Sequence, residues 1–244
     1  SIVITGGARG IGLETAALLS TLPDTTKMLL VDHPMMSAAL EKSADSIKSL
    51  TNNRVDVSSL SVDVCDDDAG AKIMSSIASP IDAIVHAAGV TRDKTMKRMK
   101  KGLFDECMDI NYHSVLAIDD QIIANDGYSD GARITLLSST SGVAGNFGQV
   151  NYASSKSGLL GYAAWRTVNN PSLVVNAVAP GFIATPMTAN LPLFNKVIVP
   201  RFLTNVKCMG KPSDVAHAIK FLSSRGAGSK GTFLRVCGGL LLGR

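Results

Sequence analysis

Short apolar segments recur along the chain, and longer segments with a helical pattern separate them. The apolar segments are SIVIT, MLLVD, VSSLSVDV, IDAIVHAAG, ARITLLSS and LVVNAVAPG. Between them, segments such as GLETAALLSTL and ALEKSADSIKSL repeat apolar positions with a helical period, which predicts helices with one apolar face. Continuously apolar strands joined by helices are typical of a parallel sheet that is covered on both faces. We therefore predict an α/β fold with a doubly wound parallel sheet, in a single domain spanning residues 1–244.

Composition agrees with a globular domain and excludes several classes of protein. Of the 244 residues, 45% are hydrophobic and 18% are charged, and no apolar run reaches the roughly 18 residues that a membrane span needs. A net charge of +4 is too small to indicate nucleic-acid binding. Four dispersed cysteines, Cys65, Cys107, Cys208 and Cys237, are typical of reduced thiols, so we predict a cytoplasmic protein. Because the chain opens in an apolar run without Met, we expect a further segment upstream of Ser1.

A glycine-rich loop, TGGARGIG at 5–12, follows the first predicted strand and opens the first predicted helix. Gly6, Gly10 and Gly12 would let the backbone turn tightly and approach a pyrophosphate at the positively polarised N-terminus of that helix. The order strand, glycine loop, helix predicts a dinucleotide-binding site of the Rossmann type. A glycine turn with a purely geometric purpose is the alternative.

Two charged residues bear on which dinucleotide binds. Asp32 ends the second predicted strand, where a carboxylate accepts hydrogen bonds from an adenosine ribose and repels a 2′-phosphate. A simple strand-end cap is the alternative role for Asp32. Arg9, in the glycine loop, would instead attract that phosphate. We expect NAD(H) as the cofactor on account of Asp32, with NADP(H) not excluded.

The segment NYASSKSG, 151–158, places Tyr152 and Lys156 four residues apart, on one face of a predicted helix. A cation beside a phenol favours the phenolate, so we expect Lys156 to lower the pKa of Tyr152 from its usual value of about 10. Such a phenol is a suitable acid/base catalyst. The same spacing also arises by chance, and an ordinary exposed helical turn is the alternative.

Several motifs together resemble the short-chain dehydrogenase/reductase family, in the family's order and over essentially the whole chain. They are TGGARGIG, HAAG at 86–89, Asn111, Ser139, the Tyr-x-x-x-Lys pair and APGFIATPMT. The longer stretches HAAGVTRDKTM, AGNFGQVNYASSKSG, NAVAPGFIATPMT and LRVCGGLLLGR are similar to 3-oxoacyl-acyl-carrier-protein reductases. Among these, the RVCG ending is most similar to the high-molecular-weight subfamily, which carries an extra N-terminal domain and prefers NADH.

The resemblance implies a catalytic set of four residues. Tyr152 would donate a proton to the substrate carbonyl oxygen, and Lys156 would lower the pKa of the phenol and bind the nicotinamide ribose. Ser139, rather than its neighbour Ser138, would hold the carbonyl oxygen, and Asn111 would anchor a water that re-supplies the proton. Hydrogen-bond donors aimed at a developing alkoxide are what such a reduction needs.

The resemblance also implies a set of cofactor contacts, spread over the loops that follow the strands: Gly6, Arg9, Gly10, Ile11, Gly12, Asp32, Asp63, Val64, Ala87, Ala88, Gly89, Tyr152, Lys156, Pro180, Gly181, Ile183 and Thr185. Asp63 would lie near the adenine amino group, with capping of the next helix as an equal alternative. His86 departs from the family's asparagine, and we interpret it as a hydrogen-bonded structural residue rather than a catalyst. The four histidines are isolated, so we expect no metal site.

Two further segments carry hypotheses about the substrate. The apolar stretch MTANLPLFNKVIVPRF is expected to form a lid over an acyl chain, within about 185–208, with an ordinary core helix as the alternative. The run RDKTMKRMKK, 92–101, contains six basic residues and one acidic residue. Such runs are usually solvated helix faces, but this one would also suit an acidic carrier protein or the phosphates of coenzyme A.

From the resemblance we expect an oxidoreductase that reduces 3-oxoacyl thioesters in fatty-acid metabolism with a nicotinamide cofactor. The substrate would be carried on acyl carrier protein or coenzyme A, and the protein would be a homodimer or homotetramer, with no nucleic-acid partner. The alternatives are a 3-hydroxyacyl-CoA, steroid or sugar-alcohol dehydrogenase of the same family, or a non-catalytic nucleotide-binding module.

Overall fold

The computed structural model describes residues 1–188, 199–224 and 228–240, and their strands form one parallel sheet. The strands are β1 Ile2–Thr5, β2 Lys27–Asp32, β3 Asp56–Ser61, β4 Ile81–His86, β5 Tyr128–Leu137, β6 Val174–Pro180 and β7 Phe233–Val236. The helices are α1 Gly10–Ser20, α2 Ser37–Leu50, α3 Ala69–Ile77, α4 Lys101–Met108, α5 Ser114–Ala124, α6 Thr140–Ala144, α7 Val150–Asn169, α8 Val199–Leu203 and α9 Pro212–Ser223. A π-helix, Asp109–His113, joins α4 to α5.

The strand order, β3-β2-β1-β4-β5-β6-β7, confirms the predicted doubly wound sheet. The chain builds outward from β1 to β3 and then crosses back to place β4 beside β1. Two apolar clusters cover the faces of the sheet: one includes side chains of α1, α2 and α9, the other side chains of α3, α5 and α7. Helices on both faces explain why most of the strands are continuously apolar.

The predicted segment VSSLSVDV is a strand, but it is not buried on both faces. β3 is an edge strand in the described part of the sheet and pairs with β2. Val57, Ser58 and Leu60 are partly or fully buried, whereas Asp56, Ser59 and Ser61 are exposed. The expectation of a continuously apolar strand is therefore wrong here, since half of the side chains of this edge strand face solvent.

The strand β7 was not predicted. Its residues pair with β6, from Ala177 opposite Phe233 to Pro180 opposite Val236. The only sequence signal was a short apolar run, FLRV, between glycines. β7 matters for the site because the residue that follows it, Cys237, packs against Gly181, where an added Cβ would lie 2.9 Å from the Cys237 Cα.

A buried carboxylate, Asp119 on α5, joins three elements of the fold. Its Oδ1 lies 3.0 Å from His86 Nε2 at the end of β4 and accepts a hydrogen bond of 2.5 Å from Tyr128 at the start of β5. Its Oδ2 accepts a bond of 2.9 Å from Tyr162 on α7. Burial, followed by the charge of Asp119, raises the pKa of Tyr128 and of Tyr162, so both phenols remain donors. His86 thus has the structural role that we expected.

The network continues to the surface through α7. Arg166 donates from Nε to the Tyr162 hydroxyl at 2.9 Å, and its terminal amino group pairs with the exposed carboxylate of Asp120. The cation also lies 5.0 Å from the Tyr162 ring centroid. A buried anion with several donors and a nearby cation is a stable arrangement, whereas each donor left unpaired by its loss would cost about 1–3 kcal/mol.

Among the described residues, no helix has both the length and the apolar character needed to cross a membrane.

Candidate active site

A cleft of about 1000 Å³ opens at the carboxyl edge of the sheet, between the loops that follow β1 and β4. This is the expected ligand position in an open parallel sheet. The lining includes every predicted cofactor contact and three of the four predicted catalytic residues, Ser139, Tyr152 and Lys156. Asn111 is the exception, since it lies buried behind the wall of the cleft.

The glycine loop leaves no room for side chains at its base. A Cβ on Gly12 would lie 2.1 Å from the Gly6 carbonyl oxygen, and a Cβ on Gly6, whose φ is +70°, would lie 2.8 Å from the Ala87 carbonyl carbon. The first turn of α1 has no side-chain cap and no acidic residue. Its N–H groups therefore remain available, and this cradle fits the pyrophosphate of a dinucleotide.

The end of the cleft that is predicted to receive the adenosine carries two carboxylates and a histidine. Asp32 accepts hydrogen bonds from the N–H groups of Ala8, at 3.0 Å, and His33, at 2.8 Å, so it also organises the loop. Asp63 Oδ1 accepts from Cys65 N at 2.9 Å, and its Oδ2 lies 3.5 Å from His33 Nε2. The alternative role as a cap of α3 is excluded, because that helix begins beyond Asp68.

Sequence reasoning missed several lining residues at this end and on the outer wall. They are His33, Met35, Met36, Cys65, Arg92, Glu106, Asp109 and Ile110, among others. His33 could have been found as the neighbour of Asp32. Met35, Met36 and Cys65 likewise follow predicted contacts closely in sequence. Arg92, Glu106, Asp109 and Ile110 line the cleft because a distant segment folds over it, so no local signal points to them.

Asn111 links the floor of the cleft, residues 87–90, to α7, the helix that carries the predicted catalytic pair Tyr152 and Lys156. Within the π-helix, its Oδ1 accepts from Val90 N at 2.8 Å, and its Nδ2 donates to Val90 O at 2.9 Å and Ser155 Oγ at 3.1 Å. A Cβ on Gly89 would lie 2.9 Å from the Asn111 Oδ1. π-Helical turns often mark functional sites because they reorient one side chain. The water-anchoring role of Asn111 stays a prediction.

The structure brings Ser139, Tyr152 and Lys156 together. The Lys156 Nζ lies 5.7 Å from the Tyr152 ring centroid and donates to the Leu137 carbonyl oxygen at 2.7 Å. Ser139 caps α6, where its Oγ accepts from Ser141 N at 3.1 Å, and its side chain lies close enough to the Tyr152 phenol to lower the pKa of that phenol. The hydroxyl of the rival serine, Ser138, instead donates to the Lys156 carbonyl oxygen at 2.7 Å, which leaves Ser139 as the serine available to a ligand.

Burial controls the ionisation of Tyr152 and Lys156, the predicted proton donor and its partner. It raises the pKa of Tyr152 to about 12, although the Ser139 side chain lowers it. It also lowers the pKa of Lys156 to about 8, since the ammonium loses its hydration. The expectation that Lys156 brings the phenol pKa down is thus wrong for this site, because burial of the phenol dominates and raises its pKa. A phenol with a high pKa keeps its proton at neutral pH and has it available to donate.

Pro180, Gly181, Ile183 and Thr185 line the end of the cleft next to the Ser139–Tyr152–Lys156 cluster, and their contact with a nicotinamide stays a prediction. Thr188 Oγ1 donates within this loop to the Ile183 carbonyl oxygen at 2.7 Å. The predicted lid at about 185–208 falls in part outside the described residues, which omit 189–198. Its role stays a prediction.

The basic run at 92–101 flanks the cleft, and two of its six cations are paired. Arg92 forms a two-pronged contact with Glu106, at 2.6 and 2.9 Å, and Lys101 pairs with Asp105. The remaining cations, Lys94, Lys97, Arg98 and Lys100, are exposed, and no described carboxylate forms an ion pair with them.

Known proteins match this chain closely in sequence and fold. The family model for short chain dehydrogenase matches residues 1–195. A 3-oxoacyl-[acyl-carrier-protein] reductase FabG of Haemophilus influenzae is 34% identical, over 98% of this chain and 97% of its own. An acetoacetyl-CoA reductase of Allochromatium vinosum is 31% identical, over 98% of both chains. This chain also superposes on a crystal structure from Brucella melitensis, a short-chain dehydrogenase/reductase described as glucose/ribitol dehydrogenase, with a TM-score of 0.87. The two sequences are 26% identical, and the match covers 98% of this chain and 95% of the other. The chain therefore belongs to the short-chain dehydrogenase family.

Proposed function

We propose that this protein is a nicotinamide-dependent reductase of 3-oxoacyl thioesters in fatty-acid metabolism. The observation that carries the proposal is the convergence of Ser139, Tyr152 and Lys156 at one end of a cleft whose glycine-lined base fits a dinucleotide. Full-length relatives named 3-oxoacyl-[acyl-carrier-protein] reductase and acetoacetyl-CoA reductase support this substrate class. Polyol oxidation is the second candidate, because of the solved relative described as glucose/ribitol dehydrogenase.

Each catalytic residue has a distinct task in this proposal. The cofactor, when bound, supplies the hydride for the carbonyl carbon. Tyr152 donates the phenolic proton to the carbonyl oxygen, and the Ser139 hydroxyl holds that oxygen while negative charge develops on it. Lys156, charged below pH 8, binds the ribose and stabilises the phenolate left after proton transfer. Asn111 keeps the floor at Val90 fixed against α7.

Reduction of acetoacetyl-CoA tests the proposal, with Tyr152→Phe as the central variant. The purified protein should oxidise NADH or NADPH when acetoacetyl-CoA is added. In Tyr152→Phe only the proton donor is lost, so kcat should fall by about 10²- to 10⁴-fold while the cofactor Kd changes by less than about twofold. Spectrophotometric turnover and cofactor fluorescence measure the two quantities.

Tyr112→Phe is the matched control, since it removes a phenol outside the cleft and should leave kcat unchanged. Near-native turnover by Tyr152→Phe would contradict the role of the phenol. Oxidation of ribitol without reduction of acetoacetyl-CoA would favour the second candidate, and cofactor binding with neither reaction would indicate a non-catalytic module.

The pH dependence of cofactor binding should report the state of Lys156. Because burial lowers its pKa to about 8, the ammonium is present below that pH and lost above it. We expect the affinity for NADH to weaken by roughly tenfold or more as pH rises through about 8. This is the loss expected when a hydrogen bond from a charged group is removed. Fluorescence titration from pH 6.5 to 9.5, a range of about three units around that pKa, measures this.

The Lys156→Ala variant should bind NADH weakly at every pH, with no step near pH 8. Tyr152→Phe should retain the step, because the phenol pKa of about 12 lies outside the range. A step that survives in Lys156→Ala would assign it to another group.

Asp32 should make NADH the preferred cofactor despite Arg9. A carboxylate about 4 Å from a 2′-phosphate costs on the order of 1–4 kcal/mol, depending on solvent exposure. Asp32→Asn keeps the side-chain shape and removes the charge, so kcat/KM for NADPH should rise at least about tenfold relative to NADH. Arg9→Gln, the opposite change in charge, should strengthen the preference for NADH. A parent enzyme that prefers NADPH would show that Arg9 prevails.

The exposed cations of the basic run should attract an acidic acyl carrier protein. Lys97→Glu combined with Lys100→Glu should raise KM for a carrier-bound substrate several-fold at low salt, because long-range attraction speeds encounter. The effect should fade at high ionic strength. A short pantetheine thioester should be reduced with unchanged KM.

A pair with the same change in net charge on α2, Lys42→Glu with Lys48→Glu, controls for overall electrostatics. An equal loss with both substrates would place the run in the fold or in an interface between subunits. Unchanged kinetics with both would identify a solvated face.

The proposal extends to a homodimer or homotetramer. Exposed apolar side chains on α9 (Phe221) and on β7, an edge strand of the described sheet (Phe233 and Leu234), support it. Cytoplasmic location and the extra N-terminal domain stay predictions.

A further inference from the structure

The side-chain amide of Gln149, the residue before α7, connects two segments that carry catalytic groups. Its Oε1 accepts hydrogen bonds from Ser141 Oγ, at 3.0 Å, and Asn146 Nδ2, at 2.9 Å. Its Nε2 donates to Asp93 Oδ2 at 3.0 Å. We propose that Gln149 is a positioning residue, which sets Ser139 against Tyr152 for proton transfer. The inference rests on the proposed reductase function.

The first step of the argument is the path from Gln149 to Ser139. Ser141 gives its hydroxyl proton to Gln149, while its backbone N–H donates to Ser139 Oγ at 3.1 Å. The Ser139 oxygen therefore already accepts one hydrogen bond, and its own proton is left to point at the Tyr152 phenol or at a substrate oxygen. Gln149 thus influences the direction of the Ser139 donor through a single intermediate residue.

The second step concerns α6, whose N-cap is Ser139. This helix has only five residues, too few to be stable without external contacts. Its packing on α7 is close, since a Cβ on Gly142 would lie 2.6 Å from the Lys156 carbonyl carbon. The amide of Gln149 supplies a second, directional tie between α6 and α7.

The third step concerns the other side of Gln149, where the first turn of α7 is fixed to the segment after β4. Lys94 N donates to the Gly148 carbonyl oxygen at 2.9 Å, beside the bond from Gln149 to Asp93. Asn151, fully buried, donates to the Arg92 carbonyl oxygen at 3.0 Å and accepts from Tyr152 N at 2.8 Å. Tyr152 therefore lies in a turn held from outside the helix, and Gln149 is the side chain shared by this anchor and by α6.

Proton transfer depends on hydrogen bonds of this kind, because the donor and the acceptor must lie within hydrogen-bond distance of each other. A displacement of either group by about 1 Å can lower the rate up to about 100-fold. Loss of the Gln149 contacts should therefore affect kcat. Cofactor affinity should change little, since the glycine loop and the adenosine end receive no contact from Gln149.

Gln149→Glu is the test variant, because it removes the donor and places a second carboxylate beside Asp93. We expect kcat for acetoacetyl-CoA reduction to fall roughly tenfold, the cofactor Kd to change by less than about twofold, and the melting temperature to fall by only a few degrees.

Asp93→Asn added to Gln149→Glu should restore kcat to within about threefold of the parent. The new asparagine amide donates to the new carboxylate, which still accepts from Ser141, so the contact is rebuilt with its polarity reversed. A general loss of packing would not be rescued in this way. Gln121→Glu is the matched control, since Gln121 uses its amide at α3, through Ala71 N and Asp67 O, and kcat should not change.

Unchanged kcat in Gln149→Glu, or no recovery in the double variant, would overturn the inference. A parallel loss of kcat, cofactor affinity and melting temperature would also overturn it, since that is the signature of a structural residue. If the parent protein itself reduces no 3-oxoacyl thioester, the proposed function fails first, and that result is distinct from the outcomes for the Gln149 variants.

Discussion

The cleft depends on a close contact between the loops that follow β1 and β4. These adjacent parallel strands continue into segments on opposite faces of the sheet, so their loops diverge and leave a crevice. At its base, however, the loops touch: the N–H groups of Ala87 and Ala88 each lie 3.2 Å from Thr5 Oγ1, and Gly6 packs on the same two alanines. A larger side chain at any of these positions would raise the floor into the space that a pyrophosphate needs.

Features that depend on residues close together in the sequence could be predicted, whereas features that depend on contacts between distant segments could not. β1, β2, β4, β6 and the part of β5 from Ala132 onward are largely buried on both faces and left mostly apolar runs, and the glycine loop lies within eight residues of sequence. The edge strand β3 was misjudged and β7 was missed, because solvent along one side weakens the apolar pattern. The π-helix at Asn111 was also not predicted, since its partners, Val90 and Ser155, come from segments that meet only in the fold.

The ionisation of Tyr152 and Lys156 shows why the spacing of two residues in the sequence was not enough to predict their pKa values. The positions of Tyr152 and Lys156 correctly placed both on one face of a helix, with the cation 5.7 Å from the ring centroid. Their environment is a property of the fold, and burial favours the neutral form of both groups. The result is a phenol with a pKa of about 12 beside an amine with a pKa of about 8. At neutral pH both groups therefore keep their protons, and Tyr152 stays ready to donate its own.

The helix α7 is held at both ends by polar contacts that also hold the floor of the cleft. At its start, Asn151 is bonded to the Arg92 carbonyl oxygen, three residues beyond the floor residue Gly89. Near its end, Tyr162 is bonded to Asp119, the same carboxylate that contacts His86 immediately before the floor. The contacts that hold α7 therefore also hold the segment from His86 to Arg92, which includes the floor of the cleft. A small displacement of the helix would move this segment with it. The distance between the Tyr152 hydroxyl and the base of the cleft is thereby preserved without any direct contact between them.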